Sequence, residues 1–263
     1  MTIGIFDSGV GGLSVLHHIR RALPEENLIY CADSAHAPYG DKSPDFISAR
    51  SHTLTRFLIS QGAEAIVVAC NTATATAISG LRSQFTLPIV GMEPAVKPAV
   101  AATRSGVIGV LATVGTLESA RFAALLERYA GNVVIVTQSC PGLVEQVEQG
   151  NLAGDITRDL IERYTAPLLA QGADTLILGC THYPFLAPLV GKIVGPDIAL
   201  IDTGEAVARH LQQRLWVELT GRMKSPKSPS RFFTSSEVMQ TSTVLSTLHD
   251  EPITALPLPH EYA

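Results

Sequence analysis

Two cysteines occupy matching positions in two similar stretches of this sequence. Residues 61–72 align without a gap with residues 171–182, and the alignment sets Cys70 against Cys180. The offset of 110 residues (180 − 70) is too long for the unit of a solenoid, so it indicates two similar halves. Each cysteine ends an apolar run that is typical of a strand. Ligands bind at the carboxyl ends of strands in open α/β sheets, so the repeat predicts two thiols facing one cleft.

A polar pair follows each of these cysteines and indicates what the thiols could do. The pairs are Asn71-Thr72 and Thr181-His182. Because Asn and Thr are favoured at helix N-caps, we expect each thiol near a helix N-terminus, where the helix dipole favours a thiolate. A thiolate on one face of a ligand and a thiol on the other suit stereochemical inversion: one removes a proton and the other returns one. His182, two residues past Cys180, is also placed either to share a proton with that thiol or to bind a side-chain carboxylate of the ligand.

Other polar side chains are placed to bind a small zwitterion. Asp7 and Ser8 end the first apolar run and offer a carboxylate for an amino group and a hydroxyl for a carboxyl group. Thr113 and Thr116 follow the equivalent run of the second half, where their hydroxyls suit an anion. Tyr39 lies in a short turn that we expect to close over the ligand.

The glycine-rich segment after the first apolar run raises an alternative, a dinucleotide site. Gly9 and Gly11 precede a helix pattern, and Asp33 lies 22 residues (33 − 11) past the second of them. Two features count against this alternative: Ser14 stands at the third glycine position, and Asp7 would set a carboxylate where pyrophosphate charge must lie. An amino-acid site fits these residues better.

The elements that must hold these residues alternate between strands and helices. Apolar runs rich in Val and Ile are each followed by a turn and a stretch of helical period. The runs cover residues 2–6, 27–31, 65–69, 87–91, 106–111, 133–137, 175–179 and 198–201. This alternation predicts an α/β fold of two pseudo-symmetric doubly wound domains with mostly parallel sheets and the active site in the cleft between them.

The domain boundaries follow from the same pattern. We expect a discontinuous first domain of residues 1–93 and 206–263, because the helix pattern at 205–215 must pack against an earlier part of the chain. We expect residues 94–205 to form the second domain. The Lys-, Pro- and Ser-rich residues 222–231 are predicted to be a surface linker.

Composition excludes several classes of protein. The chain has 263 residues, of which 46% are hydrophobic and 16% charged, so it can build a packed core. A net charge of −5 makes a nucleic-acid binder a poor candidate, since such proteins need a basic face. No apolar run approaches the ~18 residues of a membrane span, and no basic region typical of a signal peptide precedes the first strand. The cysteines form no CxxC pair or zinc-spaced cluster, so we expect no metal, reduced thiols in the cytoplasm, and structural roles for Cys31 and Cys140.

Six segments, in order along most of the chain, carry a resemblance to a known family. They are residues 5–15 (IFDSGVGGLSV), 32–43 (ADSAHAPYGDKS), 69–74 (ACNTAT), 91–95 (GMEPA), 178–184 (LGCTHYP) and 201–204 (IDTG). The chain resembles the glutamate racemases of the cofactor-independent aspartate/glutamate racemase superfamily, and the likeness is loose only after residue 220. The resemblance implies interconversion of L- and D-glutamate by α-proton transfer between two cysteines, with no metal, pyridoxal phosphate or other cofactor.

The resemblance also implies roles by position. Cys70 and Cys180 would be the catalytic acid/bases, assisted by Asp7 on the Cys70 side and by His182 on the Cys180 side. The implied amino-acid site is lined by Asp7, Ser8, Tyr39, Gly40, Asn71, Thr72, Thr113, Thr116, Thr181 and His182. Glu148 matches an acidic residue that the family places near the cleft, so it is a possible further cleft residue.

The partners implied by the resemblance are few. It implies a bacterial, cytoplasmic homodimer that takes glutamate, binds no membrane and supplies D-glutamate for peptidoglycan. Two alternatives stay open: an aspartate racemase, and a non-catalytic regulator such as a protein that binds DNA gyrase. Deuterium exchange from solvent into the α-position separates an enzyme from a binder, and rates with both amino acids separate the two racemases.

Overall fold

The structure is a computed structural model that describes residues 1–219, 228–249 and 251–263. Most of the predicted linker, residues 222–227, therefore lies outside the described residues. Arg231, the last residue of that linker, instead begins a strand. Among the helices of the described ranges, none is both long and apolar enough to cross a membrane.

Ten strands in the described part of the chain form two sheets. They are β1 (Thr2–Asp7), β2 (Asn27–Ala32), β3 (Ala65–Val68), β4 (Ile89–Val90), β5 (Val107–Ala112), β6 (Val134–Ser139), β7 (Thr175–Leu178), β8 (Ala199–Ile201), β9 (Arg231–Thr234) and β10 (Ala255–Pro257). The strand order is β10-β9-β2-β1-β3-β4 in the first sheet and β6-β5-β7-β8 in the second. Neighbouring strands pair in parallel throughout.

Helices connect these strands, as parallel pairing requires. Within the same described residues the α-helices are α1 (Leu13–Ala22), α2 (Pro44–Ser60), α3 (Asn71–Gln84), α4 (Val96–Ala102), α5 (Val114–Leu117), α6 (Ala120–Tyr129), α7 (Leu143–Glu148), α8 (Asp155–Ala170), α9 (Ala187–Val194), α10 (Gly204–Leu219) and α11 (Val238–His249). The fold is thus the α/β class that the sequence predicts.

The internal repeat of the sequence corresponds to a repeat of topology. The order β2-β1-β3-β4 recurs as β6-β5-β7-β8. The register repeats as well: Ile3 lies opposite Ala65 in the first sheet, and Ile108 lies opposite Thr175 in the second. The two thiols therefore follow equivalent strands, β3 and β7, of two similar units.

The two units also fix the start of their central strand in the same way. Glu64, just before β3, accepts a hydrogen bond from the backbone N–H of Thr2 at 2.9 Å. Asp174, the equivalent residue before β7, accepts hydrogen bonds from the backbone N–H groups of Arg104 and Ser105 at 2.7 Å each. In each unit, one carboxylate thus links the start of one strand (β3 or β7) to the start of the neighbouring central strand (β1 or β5).

The C-terminal segment contains elements that the sequence analysis did not predict. Strands β9 and β10 extend the first sheet beyond β2, and α11 packs against α1 and β10. Helix α10, which was predicted, packs along α1 and buries Leu211 and Leu215. The first sheet thus draws strands from residues 2–90 and from the C-terminal segment, which supports the expected domain boundaries; the boundaries themselves stay a prediction.

Candidate active site

The carboxyl ends of the two central strand pairs face each other. Ser8 follows β1 by one residue, and Cys70 lies two residues past β3. Thr113 follows β5 in the second unit, and Cys180 lies two residues past β7. All four residues line one cavity between the two sheets. The cleft that the repeat predicts is therefore present.

This cavity collects most of the residues that the sequence singled out. Its walls include every predicted site residue except Asp7, His182 and Glu148, which lie behind them. Sequence reasoning missed three further lining residues, Pro38, Val144 and Gly179. The cavity has a volume of about 10 Å³, roughly what one water molecule needs. A molecule of the size of an amino acid therefore fits only if the two units move apart.

Cys70 is the N-cap of helix α3. Its sulfur accepts a hydrogen bond from the backbone N–H of Ala73 at 3.4 Å and its thiol donates to Ser8 Oγ at 3.7 Å. The sequence suggested Asn71 as the capping residue, but the cap is the cysteine itself. Burial, reinforced by the nearby Asp7 carboxylate, raises the pKa of Cys70 well above its ordinary value, although the Ala73 N–H acts in the opposite direction.

Cys180 does not precede an α-helix, so the expectation of a helix N-terminus at this thiol is wrong. A turn and a 3₁₀ segment, Tyr183–Leu186, follow it, and α9 begins only at Ala187. The physical reason lies in Pro184 and Pro188. An α-helix that ran through both would leave the Pro184 carbonyl without its partner, because Pro188 has no N–H.

A histidine and a glutamate support the Cys180 thiol instead. His182 Nδ1 lies 3.7 Å from the Cys180 sulfur, and its Nε2 lies 2.6 Å from Glu148 Oε1. The same carboxylate accepts hydrogen bonds from the backbone N–H of Val10 at 2.7 Å and from Ser34 Oγ at 2.8 Å. The chain of contacts Cys180–His182–Glu148 therefore runs from the cavity to an interface between the two units.

The groups around His182 favour a charged imidazole. Burial by itself lowers the pKa of His182, but hydrogen bonds with Cys180 and Glu148 and the charge of Asp7 outweigh burial, so the pKa lies well above its ordinary value. An imidazolium beside a thiol stabilises the thiolate. His182 thus stands beside the second thiol, whereas a backbone N–H at a helix N-terminus stands beside the first.

The glycine-rich segment owes its composition to this network. A Cβ on Gly9 would overlap the Glu148 carboxylate, and a Cβ on Gly11 would overlap the His182 ring. The backbone N–H of Gly12, which a dinucleotide site would aim at phosphate, donates instead to Asp7 at 2.7 Å. Close approach of a histidine and a glutamate, and not phosphate binding, therefore accounts for these glycines.

Asp7 is fully buried between the two units. Its Oδ2 accepts hydrogen bonds from Gly12 N–H at 2.7 Å and from Thr181 Oγ1 at 3.2 Å, and Ser8 Oγ donates to Oδ1 at 3.3 Å. Burial raises its pKa, an effect that the charge of His182 opposes and that of Glu148 reinforces. Hydrogen bonds connect Asp7 to Cys70 only through Ser8. On the other side, Thr181 connects Asp7 to His182, the histidine beside Cys180.

Three threonine hydroxyls join the two units above the cavity. Thr72 Oγ1 lies 2.8 Å from Thr113 Oγ1 and 3.1 Å from Thr116 Oγ1, and the latter two lie 3.0 Å apart. They form a triangle that bridges the cleft. Opening the cleft must break the contacts of Thr72, which leaves hydroxyl groups free to bind an anion on either side.

Tyr39 forms part of the cavity wall, and its hydroxyl bonds to a residue outside the cavity lining. The hydroxyl donates to the buried Asp33 carboxylate. The tyrosine thus lies on the cavity wall, and its closure over a ligand stays a prediction. Its neighbour Gly40 approaches the second unit so closely that a Cβ would lie 2.6 Å from Thr113 Cβ.

The two other cysteines lie outside the cavity lining, as their expected structural roles require. Cys31 is buried in strand β2, and Cys140 is buried beside a neighbouring cavity, where burial raises its pKa to about 12. A search of the described residues finds no group of three or more His, Cys, Asp or Glu side chains able to hold a metal ion.

Asn71 carries an unusual feature, a buried side-chain amide whose nitrogen and oxygen find no partner among the described residues. It is 4% exposed and lines the cavity. A buried amide without hydrogen bonds destabilises a protein by about 1–3 kcal/mol, a cost that a ligand could offset. The amide is therefore poised to bind one.

Asn71→Leu is expected to separate binding from stability. The substitution removes two unpaired polar groups at similar volume, so the free energy of unfolding in urea should rise by about 1–2 kcal/mol. The KM for the substrate that the resemblance implies, glutamate, should rise at least about tenfold, since one hydrogen bond to a charged group is lost. Thr74→Val, a buried change in the same helix that removes two hydrogen bonds, serves as control and should destabilise. A less stable Asn71→Leu with an unchanged KM would contradict this account.

Comparisons with known proteins agree on one group. The family model "Asp/Glu/Hydantoin racemase" matches residues 3–211. The chain is 56% identical over 250 residues to a glutamate racemase of Ectopseudomonas mendocina (95% of each chain) and 59% identical over 223 residues to one of Methylococcus capsulatus (84% of this chain, 82% of the relative). Among solved structures, a glutamate racemase from Bacillus anthracis superposes with a TM-score of 0.88 at 31% identity (99% and 98% of the two chains). The Escherichia coli enzyme, solved with L-glutamate and an activator, has a TM-score of 0.86 at 32% identity (97% of each chain).

Proposed function

We propose a two-thiol mechanism for this chain, which belongs to the Asp/Glu/hydantoin racemase family and is an enzyme that racemises glutamate. One thiolate, Cys70 or Cys180, takes the α-proton and leaves a carbanion whose charge passes into the α-carboxylate. The opposite thiol gives its own proton to the other face of the carbon. The product has inverted configuration, and the two sulfur atoms have exchanged protonation states.

The observation that carries this proposal is the placement of the thiols. Cys70 and Cys180 lie at equivalent strand ends of two similar units and line one cavity. A single base would have to remove and return the proton on the same face, which restores the starting enantiomer. Two bases on opposite walls avoid that limit and need no cofactor.

Different residues assist the two thiols. We assign Asp7 and His182 as assisting catalytic groups, since both lie next to the cavity and both carry shifted pKa values. Glu148 acts through His182 and is a positioning residue. Hydroxyl, amide and backbone N–H groups for the two carboxylates of glutamate come from Ser8, Tyr39, Gly40, Asn71, Thr72, Thr113, Thr116 and Thr181.

Racemisation of glutamate in D₂O tests the proposal. The product enantiomer should carry deuterium at the α-carbon from the first turnover, because its proton comes from a thiol that has exchanged with solvent. Aspartate should react far more slowly, since it is one methylene shorter and leaves one carboxylate short of its hydroxyl partners. A non-catalytic regulator, such as a gyrase-binding protein, would leave glutamate fully protiated.

The cellular setting is proposed on the same basis. D-Glutamate formed here would supply peptidoglycan synthesis, in the cytoplasm, by a homodimer. The glutamate racemase of Francisella tularensis, 29% identical over nearly the whole chain, was solved with D-glutamate. The four cysteines are unpaired and buried, as suits a reducing compartment. DNA gyrase stays an untested partner.

A further inference from the structure

A chain of buried polar contacts holds the cavity wall beside Cys70, and the mechanism above does not use it. Tyr39, 1% exposed, forms this wall and donates its hydroxyl to Asp33. Asp33 is completely buried and accepts two hydrogen bonds from Arg50, one from Nε at 3.0 Å and one from Nη2 at 2.6 Å. A buried carboxylate is held best by such a bidentate partner, and without it Asp33 would keep as side-chain partners only the Tyr39 hydroxyl and His36, whose Nδ1 lies 3.1 Å from Oδ1.

Arg50 has the surroundings of an anchor. Its side chain is 11% exposed, and its remaining N–H groups donate to the backbone carbonyls of Tyr262 at 3.0 Å and Ala263 at 3.2 Å. The Tyr262 ring packs on Phe57, with centroids 5.3 Å apart. The guanidinium is therefore fixed from two sides, and Asp33 is fixed with it.

The loop that carries Tyr39 transmits this position to the reacting groups. The next residue, Gly40, abuts Thr113 across the cleft. Burial, the Asp33 carboxylate and the Cys70 thiol all raise the pKa of Tyr39, which keeps its hydroxyl protonated and donating to Asp33. A shift of Asp33 would therefore move the wall that lies against Cys70.

The support of the two thiols differs in kind. In the described residues around Cys180, the contacts run through His182 to Glu148. Cys70 itself contacts Ser8 and Ala73, and the wall beside it is held through Tyr39 by Asp33 and Arg50. Each network therefore serves one side of the cleft.

We infer that Arg50 is a positioning residue for proton transfer at Cys70: through Asp33 and Tyr39 it fixes the wall against which the substrate is held. The inference rests on the proposed two-thiol function and deepens it, because it assigns the residue to one of the two proton transfers. Arg50 itself is not among the residues that line the cavity.

The test measures racemisation of α-deuterated L- and D-glutamate by Arg50→Met. Because the enantiomers have equal free energy, kcat/KM must fall by the same factor in both directions, expected to be about 10- to 100-fold. The deuterium isotope effects measured with the two enantiomers are not subject to this constraint and can change independently. If the transfer at Cys70 alone has slowed, the isotope effect rises for the enantiomer that Cys70 deprotonates and falls for the other.

Cys180→Ala identifies that enantiomer. With Cys70 as the remaining thiol of the pair, the variant can take the α-proton of one enantiomer and return solvent deuterium to the same face. The enantiomer that gains deuterium without inversion is the substrate of Cys70. If neither enantiomer exchanges, the two-thiol function fails, which is a different outcome from failure of the inference about Arg50.

Three variants complete the design. Arg56→Met lies on the exposed face of the same helix and should leave both rates and isotope effects unchanged. Arg50→Lys should recover part of the loss, since a lysine keeps the charge but not the bidentate contact; it also carries the test if Arg50→Met fails to fold. Asp33→Asn combined with Arg50→Met should cost less than the sum of the single losses, because both act on one contact.

The overturning result is equally specific. Isotope effects that stay at the wild-type values in Arg50→Met, or that change alike for the two enantiomers, would mean that the arginine only stabilises the fold. Thermal unfolding of each variant accompanies the kinetics, since loss of folded protein lowers rates without altering isotope effects.

Discussion

Racemisation is expected to vanish in both directions when either Cys70 or Cys180 is replaced by alanine, with kcat/KM falling by at least about 10³-fold. Each thiol removes the proton in one direction and supplies it in the other, so neither direction survives the loss of one. Both cysteines are nearly buried and small, and alanine at either position removes one sulfur atom from the cavity wall. The rate of change of optical rotation with L- and with D-glutamate measures the effect.

The two variants are expected to differ in what they retain. Cys180→Ala should exchange the α-proton of one enantiomer with D₂O, and Cys70→Ala should exchange that of the other, because each keeps a base on one face only. Proton NMR of the α-position follows both reactions. Exchange of the same enantiomer by both variants would contradict bases on opposite faces.

Cys31→Ala is the matched control. Cys31 is as buried as either catalytic cysteine, but it lies in β2 away from the cavity lining. The change should cost stability through lost packing, by about 1–2 kcal/mol, and leave kcat unchanged. An inactive Cys31→Ala variant would remove the support for choosing Cys70 and Cys180.

The repeat made the fold and the thiol pair predictable from the sequence. Strands β3 and β7 are short apolar runs that enter polar turns, a pattern set by burial of the strand and by the polarity of the sheet edge. Since equivalent strand ends of similar units point to one cleft, the alignment of Cys70 with Cys180 was sufficient to bring them together. The resemblance to a family then supplied most of the lining residues.

Contacts between side chains of different elements were less predictable. Glu148 and His182 lie 34 residues apart, and no periodicity relates a position on α7 to a turn after β7. The resemblance placed Glu148 only near the cleft. A usable signal was present in Gly9 and Gly11, whose missing side chains leave room for those two groups, but glycines in a turn also suggest phosphate binding.

The C-terminal elements escaped prediction for a different reason. Strands β9 and β10 have four and three residues, too few to show an alternating pattern, and β10 ends on a proline. They join the sheet by pairing with β2 and with each other, which is a tertiary effect. Inside the site, Pro184 with Pro188 could have indicated the 3₁₀ segment that follows Cys180.

His182→Asn is expected to lower kcat by about 10²–10³-fold and to do so chiefly through proton transfer at Cys180. Asparagine removes the group that stabilises the Cys180 thiolate and breaks the 2.6 Å contact with Glu148. With α-deuterated substrates, the isotope effect should rise for the enantiomer that Cys180 deprotonates and fall for the other, opposite to the result expected for Arg50→Met. Equal isotope effects in the two directions would contradict a role at one thiol.

Glu148→Gln isolates the electrostatic part of this role through its pH dependence. The pKa of His182 is raised above its ordinary value of about 6.5, although burial opposes the shift, because Cys180, Glu148 and Asp7 outweigh it. The stability that this ionisation contributes is therefore fully present below about pH 6.5 and is lost as the pH rises through the raised folded-state pKa. Removing the Glu148 charge lowers that pKa, so the imidazolium disappears at a lower pH in the variant. The ratio of variant to wild-type kcat/KM should accordingly be highest at low pH, where both proteins hold the imidazolium, and fall as the pH rises through the lowered pKa of the variant, whereas a ratio independent of pH would mean that Glu148 only packs against His182.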